Sequence, residues 1–229
     1  MKDIASVSQR LEADGFTVVP GVVDDAQCDV LASHLQAFER VGAGSRTLLR
    51  QAWCADLAGD LRRHPIISNL LPRDAVAVQC TLFDKSPGKN WLVSLHQDLS
   101  VPVKDRVDGA ECTGWSEKEG QVYVQPPTDV LELIVAVRVH VDPCPPRSGP
   151  LRVVPGSHAF GRLDTAHADE LRKDHGEVVV PVPRGGALVM RPMILHASSK
   201  ASQPKPRRVL HFVFGPAHLP LGLAWQWAV

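Results

Sequence analysis

Hydrophobic positions change their spacing near residue 74. Before it they recur at helical intervals; after it they gather in short runs. Ile4, Val7 and Leu11 share one face of a helix predicted over residues 3–14. Residues 15–20 read as a short strand. Asp24 or Asp25 caps a second helix running to about residue 41, with Cys28, Leu31, Leu35 and Phe38 on one face. A third helix is predicted over residues 55–63, ended by the turn at Pro65. Beyond residue 74, runs rich in Val, Leu and Phe cover 75–83, 91–95, 131–141, 151–154, 178–182, 187–190 and 209–214, with Pro and Gly between them. Many short strands behind a helical start predict a mainly β domain, a sandwich or jelly roll braced by N-terminal α-helices.

Residues 99–130 fit neither period. They hold Trp115, Tyr123, several charges and the Pro126-Pro127 pair. A long connection inside a compact domain is functional or disordered more often than neutral. It stands as a candidate lid, with a surface loop as the alternative.

A chain of 229 residues suits one domain, 1–229, with a helical brace over 1–73 and a jelly-roll core over 74–216. Basic and acidic side chains balance at 25 each, so no strong field draws nucleic acid or an anionic membrane. The five cysteines are scattered, without CxxC spacing, which argues against a disulfide framework and fits a reducing compartment. No apolar run approaches bilayer length, and residues 1–15 lack a signal-peptide core. A cytoplasmic monomer or homodimer acting on a small molecule is the expectation.

The chemistry begins at His96-Gln97-Asp98. Alternation along an extended chain aims the imidazole and the carboxylate to one side and turns Gln97 away. His196 follows an apolar strand-like run and supplies a third ligand in a jelly roll. Two histidines and one carboxylate are the ligand set of a mononuclear iron(II) site that keeps positions open for substrate and O2. Alone, a His-x-Asp tripeptide is a weak signal.

Arg207 lies eleven positions after His196 and opens the last strand. Its planar fork suits a carboxylate, here the distal one of 2-oxoglutarate, and Ser198 adds a hydroxyl. Alternation puts Arg207, Val209 and His211 toward the barrel interior, and Arg208, Leu210, Phe212 and Phe214 toward the helices.

Over residues 79–214 the chain resembles the phytanoyl-CoA dioxygenase family of iron(II)/2-oxoglutarate oxygenases, which includes ectoine hydroxylases. The matching residues are His96-Gln97-Asp98, the run over 149–158, and His196-Ala197-Ser198 followed by Pro206-Arg207. The resemblance implies a double-stranded β-helix (cupin-like jelly roll). It implies His96, Asp98 and His196 as iron ligands, and Arg207 and Ser198 on the 2-oxoglutarate carboxylate. It also implies Gln79 as a cosubstrate contact; a polar group satisfied within the sheet is the alternative. Family members often carry Asn in the loop after the distal histidine, where this chain has Lys200-Ala201-Ser202. Related halogenases replace the carboxylate ligand with a small residue, so Asp98 favours oxygen transfer.

The expected reaction consumes O2 and 2-oxoglutarate, releases succinate and CO2, and hydroxylates a C–H bond of a small molecule. Desaturation, cyclisation or epimerisation with the same cofactors stands beside it, as does a jelly-roll binding protein without turnover. A zinc or manganese isomerase has no need of Arg207. Candidate substrate contacts are Trp91, Trp115, Tyr123, Arg138 and His140. The last two share one face of the run 131–141, which either lines the barrel or faces solvent.

Overall fold

The computed structural model describes residues 4–38, 45–86, 88–109, 111–203 and 205–229. α1 (Ile4–Ala13) leads into β1 (Phe16–Val19), α2 (Asp25–Ala37) and α3 (Ala52–Arg63). Then follow β2 (Ala75–Lys85), β3 (Val93–His96), β4 (Val101–Val103), β5 (Thr113–Lys118), β6 (Gln121–Gln125) and the short α4 (Thr128–Glu132). The chain continues through β7 (Val135–His140), β8 (Leu151–Val153), α5 (Thr165–His175), β9 (Val178–Val180), β10 (Ala187–Met190), β11 (His196–Ser198) and β12 (Arg207–Pro216).

Two antiparallel sheets form the jelly roll, one in the order β1-β10-β7-β12-β2, the other β3-β11-β8-β9. Asp24 caps α2 in a capping box: its Oδ1 accepts from the Gln27 amide at 2.7 Å, and Gln27 Oε1 accepts from the Asp24 amide at 2.9 Å. α2 stops at Ala37; residues 39–41 of the predicted helix, and residue 3 of the first, lie outside the described residues.

Alternation sorts the larger sheet into two faces. Leu210, Phe212 and Phe214 of β12, with Val135, Val137 and Val139 of β7, pack on Leu31, Leu35, Leu57 and Leu61 of α2 and α3. Each such buried side chain contributes roughly 1.5–3 kcal/mol, which holds the brace to the sheet. The opposite face carries buried Arg138, His140, Arg207 and His211. The polar face of β7 therefore lines the barrel rather than meeting solvent.

Two expectations change, and one helix went unpredicted. The run 131–141 is not one strand: residues 128–132 form α4, Leu133 is exposed, and β7 starts at Val135. Residues 99–130 are not a structureless connection. β4, β5 and β6 form a third antiparallel sheet, order β4-β6-β5. Its Val101, Val103 and Val124 are buried against Ile134, Met193 and Trp225, while charged residues on its other face mask the period. α5 escapes a hydrophobic reading because Ala168 is its one buried residue; Asp164 caps it through the His167 amide. Among the described residues, no helix is long and apolar enough to cross a membrane.

Candidate active site

β3 ends where β11 begins, and the two pair in antiparallel register with His196 opposite His96. Cross-strand neighbours on one face lie close enough to share a ligand, and the two imidazole centroids are 4.2 Å apart. Asp98 reaches the same point because its amide donates to Pro192 O at 2.9 Å, tying the chain after β3 to the segment before β11. Gln97 points away, as alternation requires. Its Nε2 donates to Gly161 O (2.8 Å) and Met193 O (2.6 Å), and its Oε1 accepts from the Leu163 amide (2.9 Å).

His96 Nε2 stands 3.5 Å from Asp98 Oδ1, and His196 Nε2 3.6 Å from Oδ2. One ligand atom from each of the three residues lies within 4.8 Å of the others. Each Nδ1 meets a backbone carbonyl, His96 that of Ser94 (2.8 Å) and His196 that of Ile194 (2.9 Å). A carbonyl only accepts, so the proton sits on Nδ1 and the Nε2 lone pair faces the common point. Burial holds His196 down to about 4, against the pull of Asp98. Burial works against the charge of Asp98 too, although 38% of its side chain is exposed to flanking cavities; His196, His96 and His211 overcome that and keep it well below the usual carboxylate range. The three groups are thus an ionised carboxylate and two imidazoles aimed at one point, which suits a divalent iron.

The triad separates two cavities. The narrower, about 80 Å³, is lined by Lys85, Trp91, Arg138, Leu151, Ser198 and Arg207 beside the triad. Arg207 is buried, donates from Nη1 to Gly149 O and reaches Cys144 Sγ at 3.5 Å. Gly149 can offer that carbonyl because it has φ +65° and lies so close to the Ser199 carbonyl that a Cβ would be 2.5 Å from it. Lys85 Nζ donates to Ser198 Oγ (3.2 Å) and Ser199 O (2.9 Å). Burial, with Arg207 and Arg138 nearby, lowers Lys85 to about 8. Burial likewise brings Arg138 down to about 10. Among the described residues none of these three cations pairs with a carboxylate, and the buried Nε atoms of Arg138 and Arg207 have no partner.

The wider cavity, about 280 Å³, opens on the other side and shares Phe83, His96 and Asp98 with the first. Gln79, Thr81, Ser100, Lys118, Tyr123 and His211 give it polar walls. Tyr123 OH donates to Gln79 Oε1 (2.8 Å), and Gln79 Nε2 donates to Thr81 Oγ1 (2.7 Å). Burial pushes Tyr123 up to about 12. The β5–β6 turn roofs this side, pinned where Glu119 accepts from the Arg46 guanidinium and amide, both at 2.9 Å.

His96, Asp98 and His196 come together, with Arg207 and Ser198 in the cavity beside them. Gln79 stands in the wider cavity, away from Arg207, and Tyr123 is beside it. Trp91 lines the narrow cavity under Lys85 Nζ, 5.4 Å from its ring. Trp115 lines neither; it stands on β5, partly buried against the core of the small sheet, with Arg106 over its ring. His140 is buried behind the narrow cavity, and desolvation followed by Arg138 and Arg207 holds it well below the usual imidazole range. Arg152 lies 3.7 Å from Glu177, outside both cavities. The sequence reading missed Lys85, Arg46 and Lys118. Lys85 was within reach: Gln79, Thr81, Phe83 and Lys85 share one face of β2, which runs two residues past the predicted strand end.

A family model for phytanoyl-CoA dioxygenase (PhyH) matches residues 11–209. The chain belongs to that family. It is therefore an iron(II)/2-oxoglutarate-dependent oxygenase that uses O2. Among curated proteins there is no match. Solved structures with the same fold include the epimerase SnoN of nogalamycin biosynthesis in complex with Fe3+, alpha ketoglutarate and nogalamycin RO, at 19% identity and TM-score 0.72, covering 97% of this chain and 88% of that one. EctD from S. alaskensis in its apoform aligns at 19% identity and TM-score 0.69, over 93% of this chain and 77% of its own. HygX from Streptomyces hygroscopicus with nickel and 2-oxoglutarate bound aligns at 18% identity and TM-score 0.66, over 93% and 87%. These likenesses establish the fold as the double-stranded β-helix.

Proposed function

We propose that the enzyme hydroxylates an unactivated C–H bond of a small polar molecule held in the wider cavity, while 2-oxoglutarate occupies the narrow one. The observation that carries this reading is the meeting of two unlike cavities at one donor triad. One holds Lys85, Arg138 and Arg207, with Asp98 at the metal point as the one carboxylate among its described lining residues; the other has hydroxyl, amide and imidazole walls with Arg46 and Lys118 at its edge.

His96, Asp98 and His196 would hold the iron, and their donor set fits it. Bound iron and 2-oxoglutarate together supply an O2-derived oxidant strong enough to take hydrogen from carbon. Arg207 and Ser198 hold the distal carboxylate of the cosubstrate, whose charge answers the uncompensated cations around it. The small sheet over residues 101–125 serves as the cover that keeps water from the reacting centre, held by the Glu119–Arg46 contact. Gln97 fixes the segment at 161–163 against the base of β11, so the triad keeps its geometry as ligands come and go.

The polar walls orient the substrate and take no proton from it. Tyr123, pushed up to about 12, stays protonated. His211 is held neutral, and its Nδ1 is occupied by Arg138. Oxidation at carbon fits these walls better than an isomerisation relying on either group as base. A row of Tyr123, Gln79 and Thr81 suits hydroxyl or amide groups, and Phe83, Leu99 and Val213 supply the smaller, apolar part of the wall.

The test is oxygen uptake and succinate formation by the iron-loaded enzyme across a panel of hydroxylated and amide-bearing small molecules, with acyl thioesters as contrast. Coupled turnover giving a product with one oxygen from labelled O2 supports hydroxylation. A product of unchanged composition or one short of two hydrogens assigns epimerisation, or cyclisation or desaturation. Turnover with acyl thioesters alone overturns the substrate class.

A further inference from the structure

We propose that Lys85 is a second cation of the cosubstrate site, so that the distal carboxylate of 2-oxoglutarate bridges Lys85 and Arg207 with Ser198 between them. This rests on the reading that 2-oxoglutarate fills the narrow cavity, and it adds a residue that sets which 2-oxo acids the enzyme accepts.

The geometry comes from strand pairing. Lys85 ends β2 and Arg207 opens β12, and the two are register partners in the antiparallel pair. Directly opposed residues project to the same face of a sheet, which here is the barrel interior. Like charges so placed repel, and the arrangement is kept in a site where Lys85 is 2% and Arg207 5% exposed. An ammonium has three donors. Two of Lys85's are taken by Ser198 Oγ and Ser199 O. The third is left for the cavity that Lys85 lines. Because Ser198 Oγ accepts from Lys85, its own proton is free to point at a ligand as well.

Among the described residues that line the cavity, the charges facing Lys85 come from two strands and the triad. Arg207 comes from β12 and Arg138 from β7. Asp98, His96 and His196 form the cavity's far wall, and Cys144 lies behind Arg207. Asp98 is the one carboxylate among the described lining residues, and it faces the metal point. The repulsion and burial that bring Lys85 to about 8 are relieved when a carboxylate enters. The ammonium form binds the carboxylate; the neutral amine does not. Affinity for the distal carboxylate is therefore full below about pH 8 and declines above it, levelling off only where the lysine has lost its proton in the complex too.

The experiment compares 2-oxoglutarate with 2-oxovalerate, which has the same chelating end and no distal carboxylate. Both are titrated anaerobically into the iron(II) protein and followed by the visible absorption of the chelate. The ratio of the two affinities isolates the distal carboxylate from effects at the metal. Lys85→Met is expected to weaken 2-oxoglutarate by ~10- to 100-fold, the loss of one charge-assisted hydrogen bond, and to leave 2-oxovalerate unchanged. Lys85→Arg is expected to restore most of the ratio.

In the wild type the ratio should fall between about pH 7.5 and 9.5, and in Lys85→Arg it should stay level. Equal weakening of both acids by Lys85→Met, or an unchanged ratio, overturns the proposal. If Lys85→Met does not fold, a wild-type ratio that is flat with pH overturns it. Arg207→Ala separates the two layers: an unchanged 2-oxoglutarate affinity in that variant removes the cosubstrate from this cavity altogether, whatever Lys85 does.

Discussion

Arg138 donates from Nη1 to Nδ1 of His211 across 2.8 Å, the two being opposed on β7 and β12. A guanidinium has no acceptor, so Nδ1 accepts and the imidazole proton sits on Nε2. His211 thus presents a fixed N–H, not a base, to the wider cavity. Arg138→Met removes a buried cation that lacks a carboxylate partner. It is expected to leave the melting temperature of the metal-free protein unchanged or higher, while succinate formation falls ~10-fold or more. A melting point lower by several degrees would mark Arg138 as a structural residue instead.

The same pair sets a pH limit. Burial, then Arg138, pushes His211 down to about 3. An unfolded histidine titrates near 6.5. Between the two values the unfolded chain binds more protons, so this stability is complete above about pH 6.5 and drains away as pH falls toward 3. Thermal melts of the metal-free protein should drop steadily through that window. His211→Asn should flatten part of the slope, and an identical slope in the variant would reject the assignment.

Metal addition should raise the melting temperature, because a ligand that binds only the folded state stabilises it. At about a hundredfold over the dissociation constant the gain is ~2.7 kcal/mol. His196→Ala and Asp98→Ala should each lose the shift and the visible absorption of the 2-oxo acid chelate. Either variant showing the wild-type shift would move the metal elsewhere.

Tyr123→Phe strips Gln79 Oε1 of its donor at the wall of the wider cavity. A stability loss of ~1–3 kcal/mol is expected, with 2-oxoglutarate affinity unaltered. Product formed per succinate should fall, because the substrate loses its seat while the cosubstrate keeps its own. A parallel drop in cosubstrate affinity would return the Gln79 row to the role that the family resemblance implied.

Much of the site was legible because it depends on period-two alternation and local spacing. His96 and Asp98 share a face by parity, Gln97 turns out by the same rule, and the split of β12 into helix-facing and barrel-facing residues follows directly. What escaped depends on which strands lie side by side. Alternation along β2 puts Lys85 on the face of Gln79, but its nearness to Arg207 appears only once β2 is known to pair with β12, and Arg46 matters only once Glu119 reaches it from the small sheet. Residues 99–130 defeated the reading for another reason. Their strands bury one face against residues as remote as Trp225, and the outer charges hide the alternation. Leu131 and Val135 lie in one apolar run, yet Leu133 is exposed and a helical turn intervenes; composition alone cannot place that break.

The partition between the two cavities has a consequence for inhibition. His96 and Asp98 wall both chambers, so neither ligand needs to displace the other. A single compound joining a chelating 2-oxo acid to a hydroxylated arm would straddle the metal. It would gain from both chambers through one tether.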